Sequence, residues 1–131
     1  MGADRMILDT CALLWLADEA GNKLSQATLG IINNADTVYV SAISGFEIAA
    51  KVNSGKLQLP TTPREWFDEI LKFHNLEKLD LNLETCIKAV ELPRIHKDPC
   101  DRFIIATALL LGMSVVTADK YFAEYGVHVL Y

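Results

Sequence analysis

Long apolar runs, excess positive charge and paired cysteines are all scarce in this sequence, and each shortage narrows what the protein can be. The longest apolar stretch, residues 103–116, is about 14 residues long and too short to span a bilayer. The chain of 131 residues carries 12 Lys and Arg against 17 Asp and Glu, a net charge of −5. That balance argues against a broad nucleic-acid-binding face. It still allows a nucleic-acid enzyme that uses metal ions and a local basic rim.

The cysteines are few and unpaired in pattern. Cys11, Cys86 and Cys100 are odd in number and lack CxxC spacing, which favours a reducing compartment over a disulfide framework or a zinc site.

Acidic residues interrupt the apolar N-terminal part, so it does not match a secretory signal. We therefore expect a soluble, cytoplasmic protein that does not bind membranes. Residues 1–5 are expected to precede the domain as a leader, with Met6 as an alternative start.

Short apolar strands alternate with helices along the chain. We predict strands at residues 5–9, 37–41, 77–81, 113–119 and 127–131. The intervening helices are predicted at residues 10–20, 25–35, 44–56, 64–75 and 82–93, followed by a long helix that ends at Gly112 and a helical turn at 120–126. Continuously apolar strands between helices indicate a parallel sheet that is covered on both faces. Without a linker or repeat, residues 1–131 are predicted to form one α/β domain.

Acidic side chains fall at the ends of these elements. Asp9 ends the first predicted strand, Asp119 ends the fourth, and Glu47 lies in the first turn of the helix after the second. Because the carboxyl ends of parallel strands meet at one edge of the sheet, these carboxylates are expected to converge. Asp98 and Asp101 stand at the front of the long helix. Asp101 joins the group if that helix begins over the same edge.

Each acid also has a purely structural explanation as a helix cap. Asp9 and Asp119 suit N-cap positions. Ser44 and Glu47 have the spacing of a capping box, and Asp98 stands directly before a proline, as N-caps often do. Converging carboxylates repel one another unless a cation lies between them, and Mg²⁺ and Mn²⁺ prefer carboxylate oxygens. Capping and metal binding are therefore compatible roles for the same side chains.

Four segments together resemble a known family. They are "MILDTCALLWL", "SAISGFEIAAKVNSGKLQLP", "HKDPCDRFIIATAL" and "VVTADKYFAEYGVHVL". In order and spacing they resemble PIN-domain ribonucleases, specifically the VapC-type toxins of bacterial toxin–antitoxin pairs. The resemblance covers residues 6–131. It implies a three-layer α/β/α sandwich around a parallel sheet in strand order 3-2-1-4-5.

The resemblance implies hydrolysis of RNA by an acidic quartet that holds Mg²⁺ or Mn²⁺. The quartet, expected to be both catalytic and metal-binding, is Asp9, Glu47, Asp101 and Asp119. Asp9 and Asp119 would be the principal ligands, and Asp101 a ligand directly or through water. Glu47 would bind through water, or orient or deprotonate the attacking water. Supporting roles are expected for Thr10, Thr117 and Asp98. Cys100 departs from the family, which commonly has an aromatic residue there, at a packing position.

RNA must approach this acidic site, so basic residues near the quartet are candidate contacts. They are Arg102, Lys51, Lys97, Arg94 and Lys120. The alternative for each is a solvated surface charge, and Arg102 could instead pair with a carboxylate. His96 is expected to make a hydrogen bond at the entry to the long helix rather than to act as a base.

Partners are implied by the same resemblance. VapC-type toxins are neutralised by a cognate antitoxin that occupies an apolar groove, so we expect an antitoxin and RNA as partners. We also expect a homodimer or a toxin–antitoxin hetero-oligomer. The helices at residues 10–20 and 64–75 are candidate contributors to such surfaces. Trp15 and Trp66 are expected in the core or at a partner interface rather than stacked on bases.

Other functional classes fit less well. A signalling receiver domain needs an acidic pair after the first strand, and a haloacid-dehalogenase-type phosphotransferase needs D-x-D there, whereas this chain has Asp9-Thr10-Cys11. A PIN domain without a toxin role, acting in RNA processing or only in binding, remains the alternative. Binding-only members lose quartet residues, and this chain keeps all four.

Overall fold

The computed structural model describes residues 5–18 and 23–131, and a five-stranded parallel sheet lies at its centre. The strands are β1 (Arg5–Leu8), β2 (Thr37–Ser41), β3 (Leu76–Leu79), β4 (Ser114–Val116) and β5 (Val129–Leu130). Their order is β3-β2-β1-β4-β5, and each neighbouring pair is parallel. The predicted strand order is thereby confirmed.

Helices cover both faces of this sheet. They are α1 (Thr10–Ala17), α2 (Gln26–Asn34), α3 (Ala42–Asn53), α4 (Pro63–Phe73), α5 (Leu83–Glu91), α6 (Pro99–Leu111) and a 3₁₀ helix (Lys120–Tyr125). Alternate residues of β1 point to opposite faces, so Met6 and Leu8 join one apolar core and Ile7 joins the other. The first core holds residues of α1 to α4, and the second is built mainly from α5, α6 and the 3₁₀ helix. The three-layer sandwich is confirmed.

The strand order reverses beside β1, and this switch point positions the site. The last residues of β1 and β4, Leu8 and Val116, are paired in register. The next residue, Asp9, donates its backbone N–H to the carbonyl of Val116 at 3.1 Å. Ligands of open parallel sheets bind outside the carboxyl ends of the strands at such a point.

The long helix α6 begins and ends where the sequence predicts. Asp98 is its N-cap, and Oδ1 of Asp98 accepts a hydrogen bond from the backbone N–H of Cys100 at 2.9 Å. Pro99 occupies the first helical position, where a missing N–H has no consequence. Gly112 ends the helix with φ of 66°, a left-handed conformation that costs glycine little.

Two predictions about local structure are wrong. Helix α3 begins at Ala42 and is capped by Ser41, whose hydroxyl accepts from the backbone N–H of Ile43 at 3.1 Å. Ser44 therefore lies inside the helix and Glu47 in its second turn, so they form no capping box. Strand β4 ends at Val116, and Asp119 is not its last residue but the N-cap of the 3₁₀ helix.

Other boundaries differ less. β3 begins and ends earlier than predicted, at Leu76–Leu79. Helix α1 ends at Ala17, and the predicted continuation to residue 20 and the break at Gly21 lie outside the described residues. So do residues 1–4 of the expected leader, whereas Arg5 begins β1. Within the described residues, every helix is too short or too polar to cross a membrane.

Candidate active site

Asp9 lies at the switch point and uses its two carboxylate oxygens differently. Oδ1 caps α1 by accepting from the backbone N–H of Ala12 at 2.7 Å. Oδ2 accepts from the hydroxyl of Thr117 at 2.5 Å. The side chain is buried, and this burial raises the pKa of Asp9 despite both hydrogen bonds. The carboxylates of Asp119 and Glu47 raise the same pKa further, so these groups lie near one another.

Thr117 connects two members of the quartet. Its hydroxyl donates to Asp9 and accepts from the backbone N–H of Asp119 at 3.0 Å, and its side chain is fully buried. Asp119 in turn accepts at Oδ1 from the backbone N–H of Tyr121 at 2.9 Å, which caps the 3₁₀ helix. The loop after β4 is thereby held so that Oδ1 of Asp119 caps the helix and Oδ2 contacts Nε2 of His96.

Asp101 reaches the site from the first turn of α6. Burial raises the pKa of Asp101 from 3.8 to about 7, with a further contribution from the carboxylate of Asp98. His96 lowers this pKa, whereas Asp9 and Glu47 raise it. Helix α6 therefore does begin over the carboxyl edge of the sheet. A cation beside this carboxylate would lower its pKa and favour the ionised form near neutral pH.

Glu47 completes the group from α3. Its Oε2 lies 3.3 Å from Nζ of Lys51, one helical turn further on. Its Oε1 is buried and has no hydrogen-bond partner among the described residues. A buried, unsatisfied carboxylate oxygen is costly, and a bound ion or water is its usual explanation. Glu47 thus has one buried carboxylate oxygen that could accept from a water or bind an ion.

The position of α3 relative to α1 is set by a pair of buried hydroxyl groups. Oγ1 of Thr10 lies 2.8 Å from Oγ of Ser44. Thr10 follows Asp9 directly, and Ser44 lies one turn before Glu47 on α3. This contact fixes the two acids relative to each other. Sequence reasoning missed Ser44 in this role because it treated that residue as a cap.

His96 connects the remaining two acids, which the sequence did not reveal. Its Nε2 lies 2.7 Å from Oδ2 of Asp119 and 3.1 Å from Oδ2 of Asp101. Its Nδ1 accepts from the backbone N–H of Asp98 at 3.1 Å, which is the expected hydrogen bond at the helix entry. Because Nδ1 accepts, the ring proton of a neutral His96 is on Nε2, and His96 donates to the carboxylates. The only sequence signal for this role is the placement of His96 just before the Asp98-Pro99 helix start.

These residues form a donor set that fits a hard divalent cation. Nitrogen and oxygen atoms of His96, Asp101 and Asp119 lie within 4.8 Å of one another. Burial, and to a lesser extent neighbouring carboxylates, raises the pKa values of Asp9 and Asp101, and Oε1 of Glu47 is buried without a hydrogen-bond partner among the described residues. Oxygen ligands of this kind suit Mg²⁺ and Mn²⁺. The structure therefore agrees with the expectation that acidic side chains cluster in a way that could hold a metal ion.

Cysteine chemistry is not indicated at this site. All three cysteines are free thiols. Burial, followed by the carboxylate of Asp9, raises the pKa of Cys11. Burial and the carboxylate of Glu47 raise the pKa of Cys100 to about 11. Since the thiolate is the reactive and metal-binding form, both side chains are unreactive near neutral pH.

The candidate RNA contacts divide into engaged and free cations. Lys51 pairs with Glu47, and Nζ of Lys120 lies 5.8 Å from the centre of the Tyr121 ring. The guanidinium of Arg102 donates to backbone carbonyls and to a tyrosine hydroxyl, so it is engaged in structure. Arg94 and Lys97 are exposed and make no ion pair or side-chain hydrogen bond within the described part of the chain.

The expected tryptophan positions fit the structure. Trp66 is buried in the first core and meets the ring of Phe67 edge-on, with ring centres 5.0 Å apart. Trp15 is partly buried and packs edge-on against Tyr131 at 6.0 Å. Neither ring is free for stacking on a base in the way that RNA-binding aromatics are.

Comparisons with known proteins find similarity over most of the chain. The family model of the PIN domain matches residues 6–127. The chain is 31% identical to Ribonuclease VapC22 of Mycobacterium tuberculosis over 116 residues, which cover 88% of this chain and 87% of that protein.

Solved structures share the fold at low sequence identity. A crystal structure of VapBC2 from Rickettsia felis, bound to a DNA fragment from their promoter, matches with a TM-score of 0.71 at 16% identity, covering 96% of this chain and 97% of that one. FitAcB from Neisseria gonorrhoeae matches with a TM-score of 0.67 at 18% identity, covering 96% of each chain. These similarities establish the fold of the chain. They do not establish its activity, which has to be argued from the residues of the site.

Proposed function

Because this chain belongs to the PIN domain family, we propose that it is an endoribonuclease that hydrolyses RNA phosphodiester bonds with the help of Mg²⁺ or Mn²⁺. The observation that carries the proposal is the convergence of the acidic quartet at the switch point, with one buried oxygen of Glu47 unpaired. A relative that covers most of the chain is named a ribonuclease, which supports the same activity.

The chain's own residues provide a charged frame for the reaction. Asp9, Asp101 and Asp119 would hold the metal ion, with Glu47 bound to it through water. When bound, the ion supplies a Lewis acid at the phosphate and lowers the pKa of its water ligand. Glu47 would orient or deprotonate the attacking water, and its buried Oε1, which has no partner among the described residues, supports this role.

The neighbouring side chains keep the acids in place. The Thr117 hydroxyl fixes Oδ2 of Asp9 and the backbone of Asp119, and the Thr10–Ser44 contact fixes α1 against α3. Asp98 has the supporting role of an N-cap for the helix that carries Asp101. Such positioning is needed because a misplaced ligand weakens both metal binding and the alignment of the phosphate.

Removal of the metal and of one acid tests this function. Purified protein is expected to cleave single-stranded RNA with Mg²⁺ or Mn²⁺ and to stop when EDTA is added. Asp9→Asn is expected to abolish cleavage, because it removes a charge that the ion needs. The matched control is Asp18→Asn, which changes an acid at the opposite end of α1. RNA cleavage that survives both EDTA and Asp9→Asn would rule out a metal-dependent nuclease.

The proposal extends to a role as the toxin of a toxin–antitoxin pair in the cytoplasm. Similar proteins are named VapC22, VapBC2 and FitAcB, and one match is described as a toxin–antitoxin complex from Klebsiella pneumoniae. Exposed apolar side chains offer surfaces for an antitoxin or a second copy of the chain. They include Phe46, Phe73, Leu83, Ile87 and Val90.

Growth of a bacterial host tests the toxin role separately from the nuclease activity. Induced expression of the chain is expected to arrest growth, and expression of Asp9→Asn is not. The retained quartet does not favour a binding-only domain. A cleaving enzyme whose expression leaves growth unchanged would instead indicate a role in RNA processing.

A further inference from the structure

We propose that a pocket beside the acidic site binds the nucleotide next to the phosphodiester that is cut. This proposal rests on the ribonuclease function and names a subsite for its substrate. The pocket lies between the end of α5 and the start of α6 and has a volume of about 480 Å³. That volume is within the range of roughly 300–1,000 Å³ found for small-molecule sites, and it suits one nucleotide.

The pocket and the acidic site share a wall. His96 lines the pocket, and its Nε2 contacts Asp119 and Asp101 at 2.7 and 3.1 Å. A nucleotide in the pocket is therefore separated from the quartet by a single imidazole ring. An RNA strand can place one phosphodiester at the acids and its neighbouring nucleotide in the pocket.

The charge of the pocket is opposite to that of the adjoining site. Arg94, Lys97 and Arg102 line it, and no carboxylate does so among the described residues. Arg94 and Lys97 are exposed, and their charged groups have no ion pair or hydrogen bond within residues 5–18 and 23–131. In a chain with a net charge of −5, two such cations form a local phosphate-binding surface.

The loop that carries these cations is held rigidly. Arg102 donates to the carbonyls of Leu92 at 2.8 Å and Pro93 at 2.9 Å, at the start of the loop. The hydroxyl of Tyr125 donates to the Pro93 carbonyl at 2.9 Å and accepts from the backbone N–H of His96 at 2.6 Å. Because the loop is ordered before RNA arrives, binding does not have to order it, which favours affinity.

The remaining wall of the pocket is apolar. Ala89, Val90, Pro99 and Phe103 line it, and Val90 is 80% exposed although it is apolar. A ribose or base packs against such a surface, while its phosphate contacts the cations. The mixture suits a nucleotide better than a purely charged or purely apolar ligand. Arg102 contributes positive charge here, but its N–H groups are already used, so Arg94 and Lys97 make the phosphate contacts.

Charge removal tests the phosphate contacts. The double variant Arg94→Ala/Lys97→Ala is compared with Lys56→Ala/Lys72→Ala, which removes two lysines near the C-terminal ends of α3 and α4, remote from the carboxyl edge. The probe is a short, fluorescently labelled single-stranded RNA of mixed sequence. The first variant is expected to bind about tenfold more weakly and to lower the slope of log K against log salt by about 1.4, from two lost contacts. The control is expected to change binding by less than about twofold.

Filling the pocket tests the apolar wall without removing charge. Val90→Trp places a large side chain at an exposed position in the lining, so folding is not disturbed. Leu111→Trp is the matched control, because Leu111 is 44% exposed at the far end of α6 and does not line the pocket. Val90→Trp is expected to raise the KM for RNA cleavage severalfold with kcat little changed, and Leu111→Trp to leave both unchanged.

The outcomes separate this proposal from the function on which it rests. Wild-type protein that fails to cleave RNA with either metal overturns the ribonuclease and the subsite together. Wild-type protein that cleaves, with the Arg94/Lys97 double variant and Val90→Trp behaving like their controls, overturns the subsite alone. So does an unchanged affinity for RNA accompanied by weakened binding of polyglutamate, which would assign the pocket to an acidic protein segment.

Discussion

Single carboxylates at this site both cap helices and face the acidic cluster. Asp9 uses Oδ1 to cap α1 and Oδ2 to accept from Thr117. Asp119 uses Oδ1 to cap the 3₁₀ helix and Oδ2 to accept from His96. A helix N-terminus carries positive potential and stabilises the ionised form of its cap. The helix start thus prepares each acid for a cation instead of competing with it.

Asp101→Asn is expected to affect RNA cleavage and the stability of the protein in opposite directions. The variant is expected to abolish RNA cleavage because it removes a carboxylate that we propose as a metal ligand. The pKa of Asp101 is raised to about 7 by burial and by Asp98, from 3.8. In metal-free protein, the contribution of Asp101 to stability is therefore fully present below about pH 4 and is lost as the pH rises through 7. Asparagine does not ionise and escapes this loss.

Urea unfolding in EDTA checks the sign of this effect. Relative to wild type, Asp101→Asn is expected to gain about 1–2 kcal/mol of unfolding free energy between pH 5 and pH 8, after allowance for solvent screening. Glu91→Gln, at an exposed position on α5, serves as the control and is expected to show no such gain. A difference between Asp101→Asn and wild type that does not grow with pH would contradict the raised pKa.

Asp98 is expected to act on stability rather than chemistry. Asp98→Ala removes the oxygen that accepts from the backbone N–H of Cys100, and a lost N-cap costs about 1 kcal/mol. Asp98→Asn keeps a capping oxygen and is expected to retain most of that stability. Both variants are expected to keep cleaving RNA. The prediction fails if Asp98→Ala loses activity as completely as Asp101→Asn does.

At the scale of elements, one arginine joins α6 to the end of α5. Nε and both terminal nitrogens of Arg102 donate to carbonyls of residues 89–96, several of them in the last turn of α5 or just after it. Those carbonyls have no partners within their own helix and carry partial negative charge. The arrangement fixes the loop that carries His96, so Arg102 has a structural role, and its contact with RNA stays a prediction.

Arg102→Lys tests this role. Lysine keeps the positive charge but cannot reproduce the planar, branched donor geometry. The variant is expected to lose about 2–3 kcal/mol of unfolding free energy, because several partly buried carbonyls lose their donor. Arg64→Lys, at an exposed position in the first turn of α4, is expected to change stability by less than about 0.5 kcal/mol. Equal stability of the two variants in urea would contradict the structural role of Arg102.

At the scale of the whole molecule, the acidic site links metal binding to folding. An ion that binds the converged carboxylates only in the folded state stabilises that state. Mn²⁺ or Mg²⁺ is therefore expected to raise the unfolding temperature of the wild type. Asp9→Asn is expected to remove most of this rise.

The same linkage predicts a pH dependence of metal affinity. Since Asp101 has a pKa of about 7, the ion must displace its proton below that pH. As the pH falls from 7 to 5, the apparent dissociation constant for Mn²⁺ is expected to increase by about tenfold per pH unit, because binding of the ion displaces one proton. Calorimetric titration measures it. A constant affinity over this range would show that Asp101 is already ionised in the metal-free protein.

Local patterns in the sequence determined much of the architecture. The boundaries of α6 follow from Asp98-Pro99 and Gly112. Helix caps depend on only a few neighbouring residues, so they can be predicted from the sequence. Strand order came from the resemblance to a family, and the parallel sheet came from apolar strands alternating with helices. Asp9, Glu47 and Asp119 could be named as candidates because residues that follow parallel strands share one edge, whereas the resemblance to a family added Asp101.

Only the tertiary structure decided which atoms meet. The contacts of His96 with Asp119, of Thr10 with Ser44 and of Thr117 with Asp9 join residues far apart in sequence. Spacing along the chain cannot specify such contacts, because they depend on how the helices pack across the sheet. The prediction of a capping box at Ser44 was wrong for the same reason. The Ser44 hydroxyl suits a helix start, but in the structure it contacts Thr10 of the neighbouring helix α1. The sequence thus determined which side chains are candidates for the site, and packing determined which of them are in contact.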